Sequence, residues 1–239
     1  MKNKKSALIT GGAKRIGKAI ALDLAQNGYD IALHYNTSYK EAKKVLKQVE
    51  KLGRKCVLFK CDLNKTSDVL KLIKKVKEIF PSLNLLINNA SIFKEGKILE
   101  NELPFFDHHF NINLKAPIFL SRDFARVSKT GYIINILDTN ITRKRTKNFA
   151  YNLSKKMLYE FTMLAASEFA PNIRVNAIAP GPILPPQGKG MKYLLENAKK
   201  VPLKRKGELT NIVQTVNFLL ENDYITGQCI FVDGGDHLR

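Results

Sequence analysis

Tyr151 and Lys155 stand four positions apart in the run Tyr151-Asn152-Leu153-Ser154-Lys155. On a helix that spacing puts both on one face, so the ammonium can lie near the phenol and favour phenolate. A tyrosine activated in this way relays a proton at neutral pH. Taken alone, the pair also fits a solvated lysine beside a half-buried tyrosine. Upstream of both, Asp138 places a carboxylate at the end of a strand-like run, and its presence bears on which substrate such a tyrosine could serve.

The elements that would hold these residues begin near the amino end. Ser6-Ala7-Leu8-Ile9 reads as a strand and leads into Thr10-Gly11-Gly12-Ala13-Lys14-Arg15-Ile16-Gly17, after which Ile16, Ile20 and Leu24 recur at helical spacing. A strand, glycine turn and helix in this order let backbone amides and a helix N-terminus meet a pyrophosphate. Gly11 and Gly12 are expected to admit positive φ, and Gly17 to permit close helix packing. Singly, such a degenerate turn is also compatible with an ordinary tight turn. Further strands are expected near Ile31–His34, Cys56–Lys60, Leu83–Ile87, Tyr132–Leu137, Ile173–Ile178 and Cys229–Val232, with helices in the intervals, one of them over Thr142–Phe169.

Parallel strands joined by crossover helices wind right-handedly. The expected fold class is therefore α/β: a single doubly wound Rossmann-type domain over residues 1–239, its parallel seven-stranded sheet covered by helices on both faces. Ligands of that architecture bind at the carboxyl ends of the strands, where the motifs fall. The one conspicuous irregular stretch, Pro180 to Lys192, carries further prolines with Gly188 and Gly190. It is expected to cover the substrate, with the substrate loop extending over about 182–200.

At 239 residues and 44% hydrophobic content the chain can bury one large core. No run reaches the length of a membrane span, and Met1-Lys2-Asn3-Lys4-Lys5 enters a strand without the apolar stretch of a signal peptide, so a cytoplasmic protein is expected. Cys56, Cys61 and Cys229 lie in or beside strand-like runs and have no metal-ligand partners at suitable spacing. Buried reduced thiols without chemistry, and no metal site, are the expectation. The 40 Lys and Arg against 21 Asp and Glu give a net charge of +19, which a nucleic acid or an acidic partner could exploit. Yet Lys43, Lys44, Lys47 and Lys51 interleave with Ala42, Val45, Leu46 and Val49, and Lys71, Lys74, Lys75 and Lys77 with Val69, Ile73 and Val76. These are expected to be solvated helix faces, with no specific nucleic-acid partner.

Three more features fall in order: Asn88-Asn89-Ala90 after the apolar run Leu83–Ile87, Asn113 in a long helical stretch, and Pro180-Gly181 after Ile173–Ile178. With the glycine turn and the Tyr151/Lys155 pair, they make the chain resemble the short-chain dehydrogenase/reductase family from about Ser6 to Gly235. The resemblance implies that Asn113, Tyr151 and Lys155 are catalytic, that Asn89 supports the cofactor site, and that Asp62 contacts the adenine, with Leu63 beside it. It also implies cofactor contacts from Gly11, Arg15, Ile16, Gly17, Ala90, Ser91, Pro180, Gly181 and Ile183, and from Tyr151 and Lys155 themselves. A homotetramer is implied as well, with a four-helix contact built from Thr142–Phe169 and the long segment before it. The fourth catalytic position, usually serine in the family, is Asp138 here.

Cofactor preference is read from Leu33-His34-Tyr35-Asn36-Thr37-Ser38 at the end of the second strand. Enzymes of this fold that use NAD place a carboxylate on the ribose hydroxyls there, and this segment has none. His34, Asn36, Thr37 and Ser38 can donate hydrogen bonds to a 2′-phosphate, and Lys14 in the glycine turn adds positive charge beside it. NADPH is the expected cofactor. A satisfied strand-end histidine at position 34, or an N-cap at Thr37 or Ser38, is compatible with that role.

Reduction of a carbonyl builds negative charge on oxygen, which a serine hydroxyl stabilises and an ionised aspartate repels. At ~4 Å and an effective dielectric near 20 the repulsion is about 4 kcal/mol, on the order of a thousandfold in rate. Reduction of a C=N bond differs, because hydride reaches carbon while nitrogen gains a proton, and a neighbouring carboxylate is tolerated or preferred. Asp138 resembles the pteridine reductase and dihydromonapterin reductase branch of the family. So do Arg15 at the second glycine position, Ser91 after Asn-Asn-Ala, Phe93 where that branch stacks an aromatic ring on the pterin, and the run from Pro180 to Pro186.

That likeness implies NADPH-dependent reduction of a pterin, dihydropterin or dihydrofolate in folate metabolism, with Arg15, Ser91, Phe93, Asp138 and Tyr151 on the substrate. The Arg15 guanidinium would bridge pyrophosphate and pterin, Asp138 would orient Tyr151, and Asn113 would hold a water chain resupplying protons through Lys155. The other reading is a 3-oxoacyl carrier-protein reductase, or another NADPH-dependent carbonyl reductase, with Thr139 supplying the missing hydroxyl and the basic surface meeting an acidic carrier. The closing Asp236-His237-Leu238-Arg239 reads either as a frayed end or as a reach into a neighbouring active site.

Overall fold

The apolar runs pair into one parallel sheet. The computed structural model describes residues 5–144 and 146–239; Met1–Lys4, read above as leading straight into a strand, lie outside the described residues. The strands are β1 (Lys5–Ile9), β2 (Tyr29–Tyr35), β3 (Cys56–Lys60), β4 (Leu83–Asn88), β5 (Gly131–Ile136), β6 (Ile173–Pro180) and β7 (Cys229–Val232). Their order in the sheet is β3-β2-β1-β4-β5-β6-β7, and every neighbouring pair is parallel. Parallel neighbours need long crossovers. These are made by α1 (Arg15–Gln26), α2 (Tyr39–Lys51), α3 (Thr66–Ile79), α4 (Leu103–Phe110), α5 (Ala116–Val127), α6 (Phe149–Phe169), α7 (Met191–Ala198) and α8 (Leu209–Glu221).

Because successive strand residues face opposite sides, each strand feeds two cores. Ala7, Ile9, Ile31, Leu33, Leu85 and Ile87 pack with Ile20 and Leu24 of α1, Val45 and Val49 of α2, and Ile212 and Val216 of α8. Leu8, Ala32, Leu86, Ile133 and Val175 pack on the other side with Leu72 and Ile73 of α3, Leu120 and Phe124 of α5, and Ala165 of α6. Each fully buried leucine or isoleucine contributes about 1.5–3 kcal/mol relative to an exposed one. The lysines fall where the stripes leave them: Lys43, Lys44, Lys47, Lys51, Lys71, Lys74 and Lys75 are exposed. Lys77 differs, donating its ammonium to Leu83 O at 3.3 Å and covering the entry to β4.

Two element boundaries depart from expectation. The helix expected from Thr142 begins at Phe149, because Asn148 takes φ 64 and interrupts any helix running through it. A short 3₁₀ turn over Thr139–Thr142 stands in its place, capped by the Asp138 side chain. The segment 182–200 is irregular only in its first half and then forms α7. Cys56 and Cys61 are buried and Cys229 half-buried, and burial pushes all three thiols up to about 12, so they stay protonated. Among the described residues no helix is long and apolar enough to cross a membrane.

Winding reverses between β1 and β4, opening a crevice over their carboxyl ends. The glycine turn, Asn89, Asp138, Tyr151, Lys155 and Pro180-Gly181 line that crevice.

Candidate active site

The glycine turn is held from beneath by β4. Thr10 Oγ1 accepts the backbone N–H groups of Asn89 at 2.9 Å and Ala90 at 3.0 Å, and Asn89 Nδ2 donates to Thr10 O at 2.8 Å and Gly11 O at 3.2 Å. Gly11 has the expected positive φ, +62. Gly12 does not; its requirement is space, since a Cβ there would lie 2.4 Å from Leu33 Cδ1. A Cβ on Gly17 would stand 2.5 Å from both Gly11 O and Asn89 Nδ2, so α1 can approach the turn only as glycine. The second left-handed residue of the turn is Arg15, with φ 55, a conformation that disfavours any side chain. Its Nη2 donates to Pro185 O at 2.8 Å and ties the turn to the irregular segment after β6.

His34 is not a phosphate donor. Its Nδ1 accepts the Gly11 N–H at 3.0 Å, so Nε2 carries the hydrogen and donates it to Cys61 O, also at 3.0 Å. Both ring nitrogens are thus occupied, and burial pulls the imidazole pKa down to about 4, keeping it neutral. The histidine fixes Gly11 instead. Lys14 Nζ pairs with Glu41 Oε1 at 3.1 Å on an exposed surface, so its charge is shared. Asn36 Nδ2 reaches Asp62 Oδ1 at 3.4 Å, and the same oxygen accepts the Asn64 N–H at 3.0 Å. Ser38 precedes α2 but makes no side-chain cap.

The reacting trio does assemble. Tyr151 OH donates to Asp138 Oδ2 at 2.7 Å, while Asp138 Oδ1 accepts both the backbone N–H of Asn140 at 2.8 Å and its Nδ2 at 2.7 Å. Lys155, 3% exposed, points its ammonium at Ile136 O, 2.7 Å away. The phenol is therefore not biased toward phenolate as the spacing suggested. Burial first, then the charge and hydrogen bond of Asp138, raise Tyr151 well above the ordinary tyrosine value. Burial lowers Lys155 to about 8, with Asp138 opposing the fall. Tyr151 thus keeps its proton and the lysine holds its own loosely.

Asn113 lies in a π-helical turn, Asn111–Lys115, between α4 and α5, and is fully buried. Its Oδ1 accepts Ile92 N–H at 2.9 Å and Ser91 Oγ at 3.1 Å; its Nδ2 donates to Ile92 O at 3.0 Å and Ser154 Oγ at 3.2 Å. With all those bonds made to protein, Asn113 pins the 91–93 strip to α6, a more direct role than the water chain expected of it. The Phe93 ring stands edge-on to Tyr151, centroids 4.9 Å apart, and is 37% exposed, so one face remains open.

A cavity of about 740 Å³ runs along the strand ends. Gly11, Lys14, Arg15, Ile16, Gly17, His34 and Asn36 line one end; Leu63, Asn89, Ala90, Ser91 and Phe93 follow along one side. Asp138, Tyr151, Lys155, Pro180, Gly181 and Ile183 line the centre. Thr37, Ser38, Asp62 and Asn113 are not in its wall, Asn113 lying just behind it. A second cavity of about 500 Å³, between β7 and α8, holds none of the trio.

The family model described as enoyl-(acyl carrier protein) reductase matches residues 11–237. The chain belongs to the short-chain dehydrogenase/reductase family. The 3-oxoacyl-(acyl-carrier-protein) reductase FabG of Staphylococcus epidermidis is 33% identical over 98% of this chain and 99% of its own length. FolM alternative dihydrofolate reductase 1 from Brucella suis, solved in complex with NADP, superposes with a TM-score of 0.95 at 38% identity, over 100% of this chain and 97% of that one. The FolM alternative dihydrofolate reductase 1 from Brucella canis, complexed with NADP, gives 0.93 at 38% identity over 100% and 96%.

In this short-chain dehydrogenase/reductase the cavity has a further wall that the motifs did not mark. Asn140 and Arg143 reach it from the turn after β5, Asn197 and Lys200 from α7 and its end, and Asp236 and Arg239 from the closing 3₁₀ turn. Of the last four residues, Asp236 and Arg239 line the chain's own cavity, with Arg143 Nη2 2.7 Å from Asp236 Oδ1. These residues come from three distant segments and share no spacing pattern, so only the fold brings them into view. Thr139 is the other surprise. Its hydroxyl donates to Asp233 Oδ2 at 2.6 Å, on the side facing β7.

Proposed function

We propose that this chain reduces a C=N bond in the ring of a pterin, dihydropterin or dihydrofolate, with NADPH as cofactor. The glycine turn fits that group: Gly11, Gly12 and Gly17 leave clearances that any Cβ would fill, at the N-terminus of α1, and Asn36, Thr37 and Ser38, not a carboxylate, directly follow β2. Asn36 and Lys14 are the donors nearest a 2′-phosphate, and Leu63, Ala90, Pro180, Gly181 and Ile183 form the apolar bed. NADPH supplies the hydride when bound.

The observation that carries the reading is the hydrogen bond from Tyr151 to Asp138. Among the described residues Asp138 accepts three hydrogen bonds and donates none, so a hydrogen-bond acceptor and not a hydroxyl donor faces the reacting position. A ring nitrogen that gains a proton is stabilised beside a carboxylate; an oxygen gaining negative charge is repelled. Tyr151 retains its proton and is the acid, delivering it to nitrogen as the adjacent carbon is reduced. Lys155, its proton loosened by burial, stands on the same helix face as the reservoir for replacing it. Phe93 offers an open aromatic face for a flat heterocycle, and Ser91 and Arg15 bracket it from the glycine-turn side. FolM, reported above as an alternative dihydrofolate reductase, is consistent with this assignment.

The kinship with 3-oxoacyl carrier-protein reductases favours a second reading, reduction of a ketone. It would require a hydroxyl donor in place of serine, and the hydrogen of Thr139 is already given to Asp233. NADPH oxidation measured side by side with dihydromonapterin, dihydrofolate, dihydrobiopterin and an acetoacetyl thioester separates the two. Turnover of the pterins supports the proposal; turnover of the thioester alone overturns it. We also infer a homotetramer from Leu103, Met157 and Leu164, exposed apolar residues on α4 and α6, which sedimentation would test.

A further inference from the structure

Among the described residues, six cationic side chains and two carboxylates line the main cavity. Lys14 and Arg15 belong to the glycine turn, and Lys155 to the chemistry. The remaining cations, Arg143, Lys200 and Arg239, gather at the opposite end with Asp236 as the one carboxylate among them. A single oxygen, Asp236 Oδ1, pairs ionically with Arg143 Nη2 at 2.7 Å and accepts a hydrogen bond from Arg239 Nε at 2.8 Å, leaving Nε and Nη2 of Arg143 without a hydrogen-bond partner among the described residues. Lys200 is exposed and makes no ion pair among the described residues. The side chains here therefore carry more positive than negative charge. Arg143 is only 7% exposed, and a desolvated guanidinium binds an oxyanion more strongly than one in water.

The position of this cluster relative to the reacting groups is set by one residue. Arg143 Nη1 lies 3.3 Å from Asn140 Oδ1, and Asn140 Nδ2 lies 2.7 Å from Asp138 Oδ1. The cluster is thus one side chain beyond the trio, on the side away from the glycine turn. A ligand held at Tyr151 by its ring can extend its substituent into this part of the cavity, whose lining includes Asn197 and Lys200.

We propose that Arg143, Lys200 and Arg239 form an anion subsite for a carboxylate at the end of the substrate's side chain, so that this enzyme prefers dihydropterins with an acidic tail to those with an uncharged one. The inference rests on the pterin reading above and specifies the substrate within it. Asp236 is the resident counter-ion, and the incoming carboxylate completes the charge balance by engaging the edges of the guanidiniums that Asp236 leaves open. Recognition of this kind is electrostatic and weakens with salt.

The test compares dihydrofolate, whose tail ends in carboxylates, with dihydrobiopterin, whose tail is uncharged, in the wild-type enzyme and in K200Q, R239Q and the double variant, with K71Q on the solvated face of α3 as a charge control. The double variant is expected to raise KM for dihydrofolate about tenfold, equivalent to about 1.4 kcal/mol, while kcat changes little. Dihydrobiopterin kinetics and KM for NADPH should move less than twofold, K71Q should behave as wild type, and raised salt should mimic the double variant with dihydrofolate only. Equal effects on both pterins, an effect on KM for NADPH, or no effect on dihydrofolate would overturn the subsite while leaving the pterin reaction in place. Failure of the wild-type enzyme to turn over either pterin would overturn the reaction itself, and the subsite with it.

Discussion

Tyr151 gives its phenolic hydrogen to Asp138 at 2.7 Å, while the ammonium of Lys155, one helical turn on, is spent on the carbonyl of Ile136. The tyrosine therefore answers to the carboxylate before the lysine, and its raised pKa follows from burial first and then from that neighbour. Replacing Asp138 by serine removes the repulsion that disfavours an alkoxide. Dihydropterin turnover should fall by two to three orders of magnitude, and turnover of a small ketone should appear or rise. Steady-state kcat/KM for both substrates in D138S checks this; unchanged pterin turnover would count against Asp138 as the selector of C=N chemistry.

Removing the phenolic hydroxyl tests the acid directly. Y151F retains the ring packed against Phe93, so the fold and the binding of NADPH should survive. Loss of general-acid catalysis is expected to lower kcat by about 10²–10⁴ with little change in KM. A Y151F enzyme that keeps most of its dihydropterin turnover would assign the proton to solvent.

The pH profile should carry the mark of Lys155. Its ammonium is present below about 8 and lost above it, because burial disfavours the charged form. If the cation resupplies the proton, kcat/KM holds at neutral pH and falls as pH rises through about 8. An activity plateau extending to pH 10 would remove Lys155 from the proton path.

How much of this was legible beforehand differs residue by residue. Central strands such as Lys5–Ile9 and Leu83–Asn88 stand where their apolar runs put them, since a strand covered on both faces reads as a near-continuous apolar run. The start of α6 was not legible, because the left-handed turn at Asn148 comes from local backbone geometry that hydrophobic spacing does not encode. His34 could be placed at the cavity but not given its role: a donor to phosphate and a brace for Gly11 look alike until both partners of its ring are known. Arg143, Lys200 and Arg239 left no motif at all, because their proximity depends on where β5, β6 and β7 end side by side.

The bracing role of His34 has a consequence for acid stability. In the unfolded chain the imidazole takes up a proton as pH falls below about 6.5; in the folded protein, buried and hydrogen-bonded, it does so only near 4. The unfolded state thus binds more protons across that window, so stability falls as pH is lowered from 6.5 to about 4, by about 3 kcal/mol in all, and the loss then levels off. Urea unfolding at several pH values should show this component in the wild type and lack it in H34Q, whose amide does not titrate. Equal acid sensitivity in the two proteins would mean that His34 is not what couples the turn to pH.

Arg15 sets strain against binding. At φ 55 its backbone is held where a side chain costs roughly 1 kcal/mol, a cost retained while its guanidinium anchors Pro185 across the cavity mouth. R15A keeps the strain and loses the anchor, whereas R15G loses both. The two variants should share a raised KM for the pterin, since neither can hold the loop, but differ in unfolding free energy, with R15G the more stable by roughly 1 kcal/mol less the added freedom of glycine in the unfolded chain. Denaturant melts beside pterin KM values decide it. If R15G alone restores wild-type KM, the backbone conformation and not the link to Pro185 is what the site requires.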